Sequence, residues 1–354
     1  MEKVKIGFIG CGFMGQLAHL QNYIVSEHCE VVAICDKKHK QANLVATRYS
    51  IPKVYENYHE LLSDPEIEAV VASQPFANHI NLVPDILRAK KHLLTEKPLS
   101  IYPENGEKLA QLAAENGVIH MVGYHKRSDL ATAYATSLIK KWKTSGEMGA
   151  MKYVRITMPP GDWIGGAKGA LFTAESPEDF PAELPTLGFD EGTHDMMVEF
   201  VNYYIHQVNY LRLMFGEDYK LTFVDRSRVM LAVESASGVC GVIETATYQT
   251  TDDWQEKILV TFEKGWIEID LPAPLAAQQA GKVTYFDNSK EMGVRVSPRL
   301  PNVSAMRNQA ERFLKAVRGL ELAPCLSEEA VKDLIFSVDY INYVKKFEGK
   351  GTLP

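Results

Sequence analysis

No Cys-x-x-Cys pair occurs in the sequence, and its five cysteines are an odd number. A disulfide framework and a cysteine zinc site are therefore excluded as organising principles. His-Glu-x-x-His and similar ligand spacings are missing too, so no metal is expected. No stretch approaches the roughly 18 uninterrupted apolar residues of a membrane span. Nor does a charged segment followed by an apolar one open the chain, so no secretory leader is expected. Positive charge is not in excess: 45 acidic against 38 basic residues give a formal net charge of −7. That argues against nucleic acid or an anionic membrane as the main partner. A cytoplasmic protein with reduced thiols is the expectation that remains. Its 354 residues exceed the roughly 250–300 at which single cores stop growing, so two domains are expected.

The chain opens with "VKIGFIGCGFMGQLAHL", a short β run that passes into Gly10-Cys11-Gly12-Phe13-Met14-Gly15 and then into residues of helical character. A strand turning tightly into a helix needs glycine at the turn, at the approach to a pyrophosphate, and where helix meets strand. The helix N-terminus then offers free N–H groups and a positive dipole end to phosphates. A second strand, "EVVAIC", ends at Asp36, 21 residues after Gly15, where an acidic residue reads ribose hydroxyls. Gly10, Gly12, Phe13, Met14, Gly15 and Asp36 thus predict a Rossmann nucleotide site. A carboxylate at 36 repels a 2′-phosphate and favours NAD. Lys37 and Lys38 follow directly and would neutralise that phosphate if Asp36 swung away, which keeps NADP as the lesser alternative.

Buried strands and helices continue to alternate through "AVVAS" (69–73), "HLLTE" (92–96) and "IHMVGY" (119–124). This predicts a parallel, doubly wound sheet with ligands at the strand C-terminal ends. One such end carries Ser73, Gln74, Pro75 and Asn78, with His79 opening the next helix. Another carries Glu96-Lys97-Pro98. Ser73, Gln74, Pro75, Asn78, Glu96 and Lys97 are expected to reach the cofactor. Lys97, with its backbone restrained by the proline, is poised to touch substrate as well.

Residues 201–212, "VNYYIHQVNYLR", pose a different question. Asn202, His206 and Asn209 are spaced four and three apart, so on one helix they share a face at about 100° per residue. The rest of that helix is apolar nearly all round, which predicts burial. An imidazole between two amides is either a hydrogen-bonded core group or the lining of a cavity, and the helix alone leaves both open.

"GFIGCGFMG", Asp36, "ASQPFANH", "TEKPLS" and "MVGYHKR" together resemble the glucose–fructose oxidoreductase / inositol dehydrogenase / rhizopine catabolism (Gfo/Idh/MocA) family. Glu-Lys-Pro is the most specific of these motifs. The tail "NQAERFLKAVRGL" with "PCLSEEAVKDLIFSVDYINYV" is similar to the family's returning helices, so the resemblance covers nearly the whole chain. It implies an NAD(P)-binding Rossmann domain over 1–124. Over 125–354 it implies a substrate-binding α/β domain on a large, open, mostly antiparallel sheet, with helices at 305–346 packing back toward the first domain. Strands for that sheet are read at "MKYVRITM", "KLTFVDRS", "RVMLAVES", "VCGVIETATYQ", "EKILVTFE" and "GWIEIDL". Such sheets commonly join subunits, which implies a homodimer or homotetramer.

The resemblance also assigns roles. Lys97 hydrogen-bonds the reacting hydroxyl, and its peptide to Pro98 is often cis. The family's Asp-x-x-x-His pair falls on Asn202 and His206, so the proton-accepting histidine is kept while the aspartate is an amide here. A later carboxylate is likewise replaced by Asn209. Without a carboxylate neighbour the imidazole is expected to be less basic yet still competent, with Asn202 orienting the substrate or the ring.

Tyr124, His125, Lys126 and Arg127 are expected to face the substrate, as are Asp162 and Trp163 of "PPGDWIGG" and His194 of "EGTHD". Thr193 or Asp195 is expected to cap the helix that follows, and the acidic, proline-rich loop 176–186 reads as a lid. The implied reaction moves a hydride between a nicotinamide and a secondary alcohol or ketone of a sugar, glycoside or cyclic polyol. The third carbon of a pyranoside is the best-matched position. Two alternatives stand beside it: NAD-dependent glycoside cleavage by oxidation and elimination, and a non-catalytic sugar or nucleotide sensor on the same scaffold. Loss of Lys97 or His206 would mark the sensor, and both are present.

Overall fold

The structure, a computed structural model, describes residues 2–177, 181, 183–245 and 253–348. Strands β1 (Val4–Ile9), β2 (Cys29–Cys35), β3 (Lys53–Tyr55), β4 (Ala69–Ala72), β5 (His92–Thr95) and β6 (His120–Val122) form one sheet. Its order is β3-β2-β1-β4-β5-β6, and every neighbouring pair is parallel. The strands read as continuous apolar runs because both faces are covered, and Ile6, Phe8, Val70, Val71, Leu93 and Leu94 are fully buried. A π-helical turn, Gly15–Leu20, leads into α1 (Gln21–Ile24), and α2 (His39–Tyr49), α3 (Tyr58–Ser63), α4 (His79–Arg88) and α5 (Pro103–Asn116) make the crossovers. Strand order reverses between β1 and β4, which opens a crevice at their C-terminal ends. Gly10 and Ser73 stand there.

His120, at the start of β6, places its Nε2 3.0 Å from the Thr95 hydroxyl. Burial, aided by the neighbouring His79, pushes its pKa down to about 3. The unfolded chain therefore binds a proton that the fold refuses. The resulting stability is complete above the ordinary imidazole range and is lost progressively as pH falls toward the folded value. From about pH 6 to pH 4 this single group should cost about 1.4 kcal/mol per pH unit. Denaturant unfolding across that range should show a shallower acid loss for His120→Gln than for the parent.

Eight further strands form the second sheet: β7 (Met151–Thr157), β8 (Tyr219–Val224), β9 (Met230–Ser235), β10 (Cys240–Glu244), β11 (Glu256–Phe262), β12 (Gly265–Leu271), β13 (Lys282–Asp287) and β14 (Val294–Val296). Their order is β14-β13-β12-β11-β7-β10-β9-β8, antiparallel except for the parallel β7–β10 pair. Alternate residues Val154, Ile156, Val233, Ile243, Ile258, Val260, Ile267 and Ile269 are buried on one face. Helices α6 (Leu130–Ser145) and, after α7 (Glu191–Tyr203), α8 (Ile205–Phe215) pack on this sheet. Asp129 starts α6 by accepting from Ala131 N at 2.7 Å, and its other oxygen takes Gly281 N at 2.9 Å. Strands β3, β13 and β14 were not expected from sequence. β3 is only three residues long, and β14 is largely exposed, so neither shows the burial pattern that marks a strand. The far end of the expected strand "VCGVIETATYQ" lies outside the described residues.

Two compact units result, and the division is discontinuous. One comprises Met1–Tyr124, Ala167–Val198 and Met306–Ile335. The other comprises His125–Gly166, Glu199–Ala305 and Phe336–Pro354. The last helices, α9 (Ala305–Val317) and α10 (Ser327–Glu348), are thus shared out between them. In the first unit Ala310, Phe313 and Leu314 of α9 join Val4, Ile6, Val31 and Val45 in one core.

The stretch expected as one helix over 201–212 is interrupted. Tyr204 (φ −101°, ψ −2°) separates α7 from α8. Asn202 ends up exposed near the end of α7, whereas His206 and Asn209 are buried in α8. The three polar side chains therefore do not share one buried face.

Candidate functional site

Each glycine of the first loop answers a distinct steric demand. Gly10 has φ +94°, and a Cβ there would lie 2.4 Å from Ser73 O and 2.5 Å from Gln74 Nε2. At Gly15 a Cβ would meet Gly10 O at 2.4 Å. At Gly12 it would meet nothing within 4 Å. The first permits the turn, the third lets helix and strand close, and the second leaves bare backbone facing open space. A dinucleotide pyrophosphate needs that open approach, so the loop fits one. Gly15→Ala should accordingly lower the melting temperature. Gly12→Ala should leave it nearly unchanged and weaken dinucleotide binding by about tenfold or more. Calorimetry and titration on the two variants separate these effects.

Asp36 is positioned by the same loop. Its Oδ2 accepts from Cys11 N at 2.7 Å and its Oδ1 from Lys38 N at 2.8 Å. A carboxylate has about four lone-pair positions, so acceptor capacity remains for ribose hydroxyls. Phe13, Met14, Lys37, Ser73 and Gln74 are half-buried around this end of the sheet, Pro75 is exposed, and Asn78 is buried. Backbone bonds hold the β4 exit, from Ser73 N to Ile9 O and from Asn78 N to Pro75 O, each 2.9 Å.

At the end of β5, Glu96 is fixed from two sides. His19 Nε2 lies 2.6 Å from its Oε1, and Lys97 N donates to its Oε2 at 3.2 Å. The Lys97–Pro98 peptide is cis, as the resemblance implied. His19 sits on the π-helical turn directly after Gly15, so the backbone that carries Lys97 is tied to the glycine loop. Sequence reasoning missed His19. Its signal was a lone imidazole in the apolar run after the loop.

Later parts of the first unit add contacts that the sequence misplaced. The cap of α7 is Asp190, whose Oδ1 accepts from Thr193 N at 2.8 Å and from the Thr193 hydroxyl at 2.6 Å. Neither Thr193 nor Asp195 is the capping acceptor, because the helix starts at Glu191. His194 turns to Tyr102, Nδ1 to Oη 2.6 Å, with the rings stacked. In the loop 176–186, residues 178–180 and 182 lie outside the described residues. Glu183 is buried and accepts from Ile101 N, Tyr102 N and Asn105 Nδ2, which pins this end of the loop to the start of α5.

In the second unit, His125, Lys126 and Arg127 form a buried 3-10 turn. Lys126 Nζ lies 2.6 Å from Glu256 Oε2, and Gln207 Nε2 donates to Glu256 Oε1 at 2.8 Å. Burial lowers the Lys126 pKa against the pull of Glu256. Lys126 is thereby committed to an internal ion pair, and Glu256, unnoticed at the head of an apolar strand, is its partner. Arg127 Nε donates to Asn209 Oδ1, so that amide serves the arginine. His125 and His206 meet edge to face, with ring centroids 4.7 Å apart. Asp162 uses Oδ1 to hold Ile164 N and Gly165 N, at 3.0 and 3.3 Å, while Trp163 is 38% exposed. Tyr124, the last residue of the first unit's opening segment, is buried. Among the described residues no group of three or more His, Cys, Asp or Glu converges to hold a metal ion, and no helix is long and apolar enough to cross a membrane.

Strand order, glycine sterics and Asp36 define a dinucleotide-binding Rossmann protein. Residues 4–124 match the Gfo/Idh/MocA model, described as an oxidoreductase family with an NAD-binding Rossmann fold. That match covers the Rossmann domain, and the chain is an NAD(P)-dependent oxidoreductase. An uncharacterized oxidoreductase of Bacillus subtilis, YrbE, is 26% identical over 342 residues, 94% of this chain and 91% of its own. Inositol 2-dehydrogenase of Salmonella typhimurium is 24% identical over 294 residues, 79% of this chain and 77% of its own. The solved structure of a UDP-N-acetylglucosamine 3-dehydrogenase from Acidithiobacillus ferrooxidans has a TM-score of 0.70 at 17% identity, covering 98% of this chain and 99% of that one. At that identity the likeness shows a shared fold.

Proposed function

We propose that this protein moves a hydride between NAD and a secondary alcohol or ketone of a sugar, glycoside or cyclic polyol, with the third carbon of a pyranoside as the position acted on. The observation that carries the reading is Lys97 at the C-terminal end of β5, with its backbone locked through Glu96 and His19 to the dinucleotide loop. The names of relatives acting on inositol and on a sugar nucleotide support the substrate class. Bound nicotinamide supplies the hydride acceptor or donor. Lys97 would hydrogen-bond the reacting oxygen and stabilise its developing negative charge. His206 would take the hydroxyl proton, a task suited to an imidazole near neutral pH. Asn202, exposed, would contribute orientation at most, and His125, beside His206, would limit the ring's freedom. Tyr124, Arg127, Asp162, Trp163 and His194 remain proposed substrate contacts. The partly exposed face of the eight-stranded sheet, with Tyr153, Arg155 and Leu259, is proposed to join subunits. Light scattering on the purified protein tests that.

The deciding experiment offers inositols, pyranoses and glycosides with NAD or NADP and follows reduced nicotinamide by its near-ultraviolet absorbance. Turnover on a pyranoside with a 3-keto product supports the reading. Turnover confined to non-carbohydrate alcohols would overturn it.

A further inference from the structure

The segment Ala167–Val198 belongs with the first unit and, besides the Asp190 cap of its own helix, sends two carboxylates to the N-termini of earlier helices. Glu183 serves α5, as described. Glu175 serves α2: its Oε1 accepts from Lys40 N at 3.1 Å and its Oε2 from Gln41 N at 3.2 Å. The Thr173 hydroxyl steadies it, donating to Oε2 at 2.8 Å. The strand of chain that carries Glu175 is laid against the glycine loop by two glutamines. Gln16 exchanges paired 2.8 Å bonds with the Leu171 backbone and also donates to Cys11 O at 2.7 Å. Gln41 takes Thr173 N at 3.3 Å and donates to Cys11 O at 2.8 Å. Cys11 N is the group that holds Asp36. Glu175, Asp36 and the loop are therefore parts of one hydrogen-bonded assembly.

The α2 start would otherwise be a phosphate receptor. Lys37, Lys38, His39 and Lys40 cluster there, at the positive end of an 11-residue helix whose first N–H groups have no partner within the helix. A ribose hydroxyl needs none of these groups, whereas a 2′-phosphate would draw on all of them. Burial would raise the Glu175 pKa, but bonds from Lys40 N, Thr173 and Gln41 N outweigh it and hold the carboxyl below its ordinary value. The group is an anion at neutral pH.

We propose that Glu175 selects NAD over NADP, as an internal carboxylate occupying the N–H groups of α2 that would receive a 2′-phosphate and opposing that phosphate by its charge. The inference rests on the reading of Asp36 as the ribose-facing carboxylate. It is tested by equilibrium titration of NAD and NADP, with melting temperatures as a folding control, on the parent, E175Q, E175A and Asp36→Ala. Both Glu175 variants should bind NADP about tenfold or more tighter while NAD changes less than about threefold. Asp36→Ala should instead weaken NAD. Unchanged NADP affinity in both Glu175 variants overturns the inference, as does parallel weakening of both cofactors, which would make Glu175 a fastener of the segment. A parent protein that prefers NADP refutes the Asp36 reading, yet even there a further gain of NADP affinity in E175Q upholds the role of Glu175.

Discussion

Lys97→Ala is expected to lower kcat by about two orders of magnitude or more while leaving dinucleotide affinity within about threefold. The asymmetry follows from where the residue sits. Its backbone amide is held by Glu96, and Glu96 by His19, so the β5 exit keeps its shape when the side chain is cut back. What the substitution removes is an ammonium group, whose proposed partner gains negative charge only as the hydroxyl proton leaves. Such an interaction is stronger in the transition state than in the bound ground state and appears in kcat. Lys97→Arg should recover little, because a planar fork replaces a compact point charge. Titration of NAD together with steady-state rates on the substrate found in the panel checks the pair of effects. Turnover within about threefold of the parent would remove Lys97 from the chemistry.

The second large effect belongs to His206. His206→Asn should reduce kcat/KM by a factor of about 100 or more and abolish the acid limb of its pH profile, with the melting temperature nearly unchanged. In the unmodified enzyme that limb is expected from an imidazole that gains a proton and can no longer accept one. His125 is the control, since its ring lies edge-on to His206 with centroids 4.7 Å apart. His125→Asn should lower the rate but keep the limb. Asn202→Asp should move the limb to higher pH only modestly, and less at higher salt, because position 202 is exposed and its charge is screened. A His206→Asn protein that melts much lower, with an unaltered pH profile in its residual activity, would make His206 a core group.

The sequence by itself determined those features whose physical cause is local. Gly10 and Gly15 stand where a tight turn and a close packing contact forbid a Cβ, Gly12 where bare backbone leaves an open approach, and three letters at fixed spacing record that. Apolar runs announced the parallel sheet, because burial on both faces is written into consecutive residues. The larger sheet was implied by the resemblance, and most of its strands were read into that expectation. Glu-Lys-Pro announced the β5 exit. Partners far apart in sequence were decided only by the tertiary structure. Nothing near Lys126 points to Glu256, 130 residues away, and Asn209 gives no sign that Arg127 will claim its amide. Asp190 displaced the expected caps because the helix began three residues earlier than a Thr193 cap implied, and five earlier than an Asp195 cap. The break at Tyr204 exposed Asn202 while burying His206, although both sit on a perfect helical spacing. The part of segment 167–198 before α7 carries no periodicity, so its attachment through Gln16, Gln41, Glu175 and Glu183 was invisible. A carboxylate's choice among distant N–H groups depends on which of them the fold leaves unsatisfied, and that is settled only when the helices are in place.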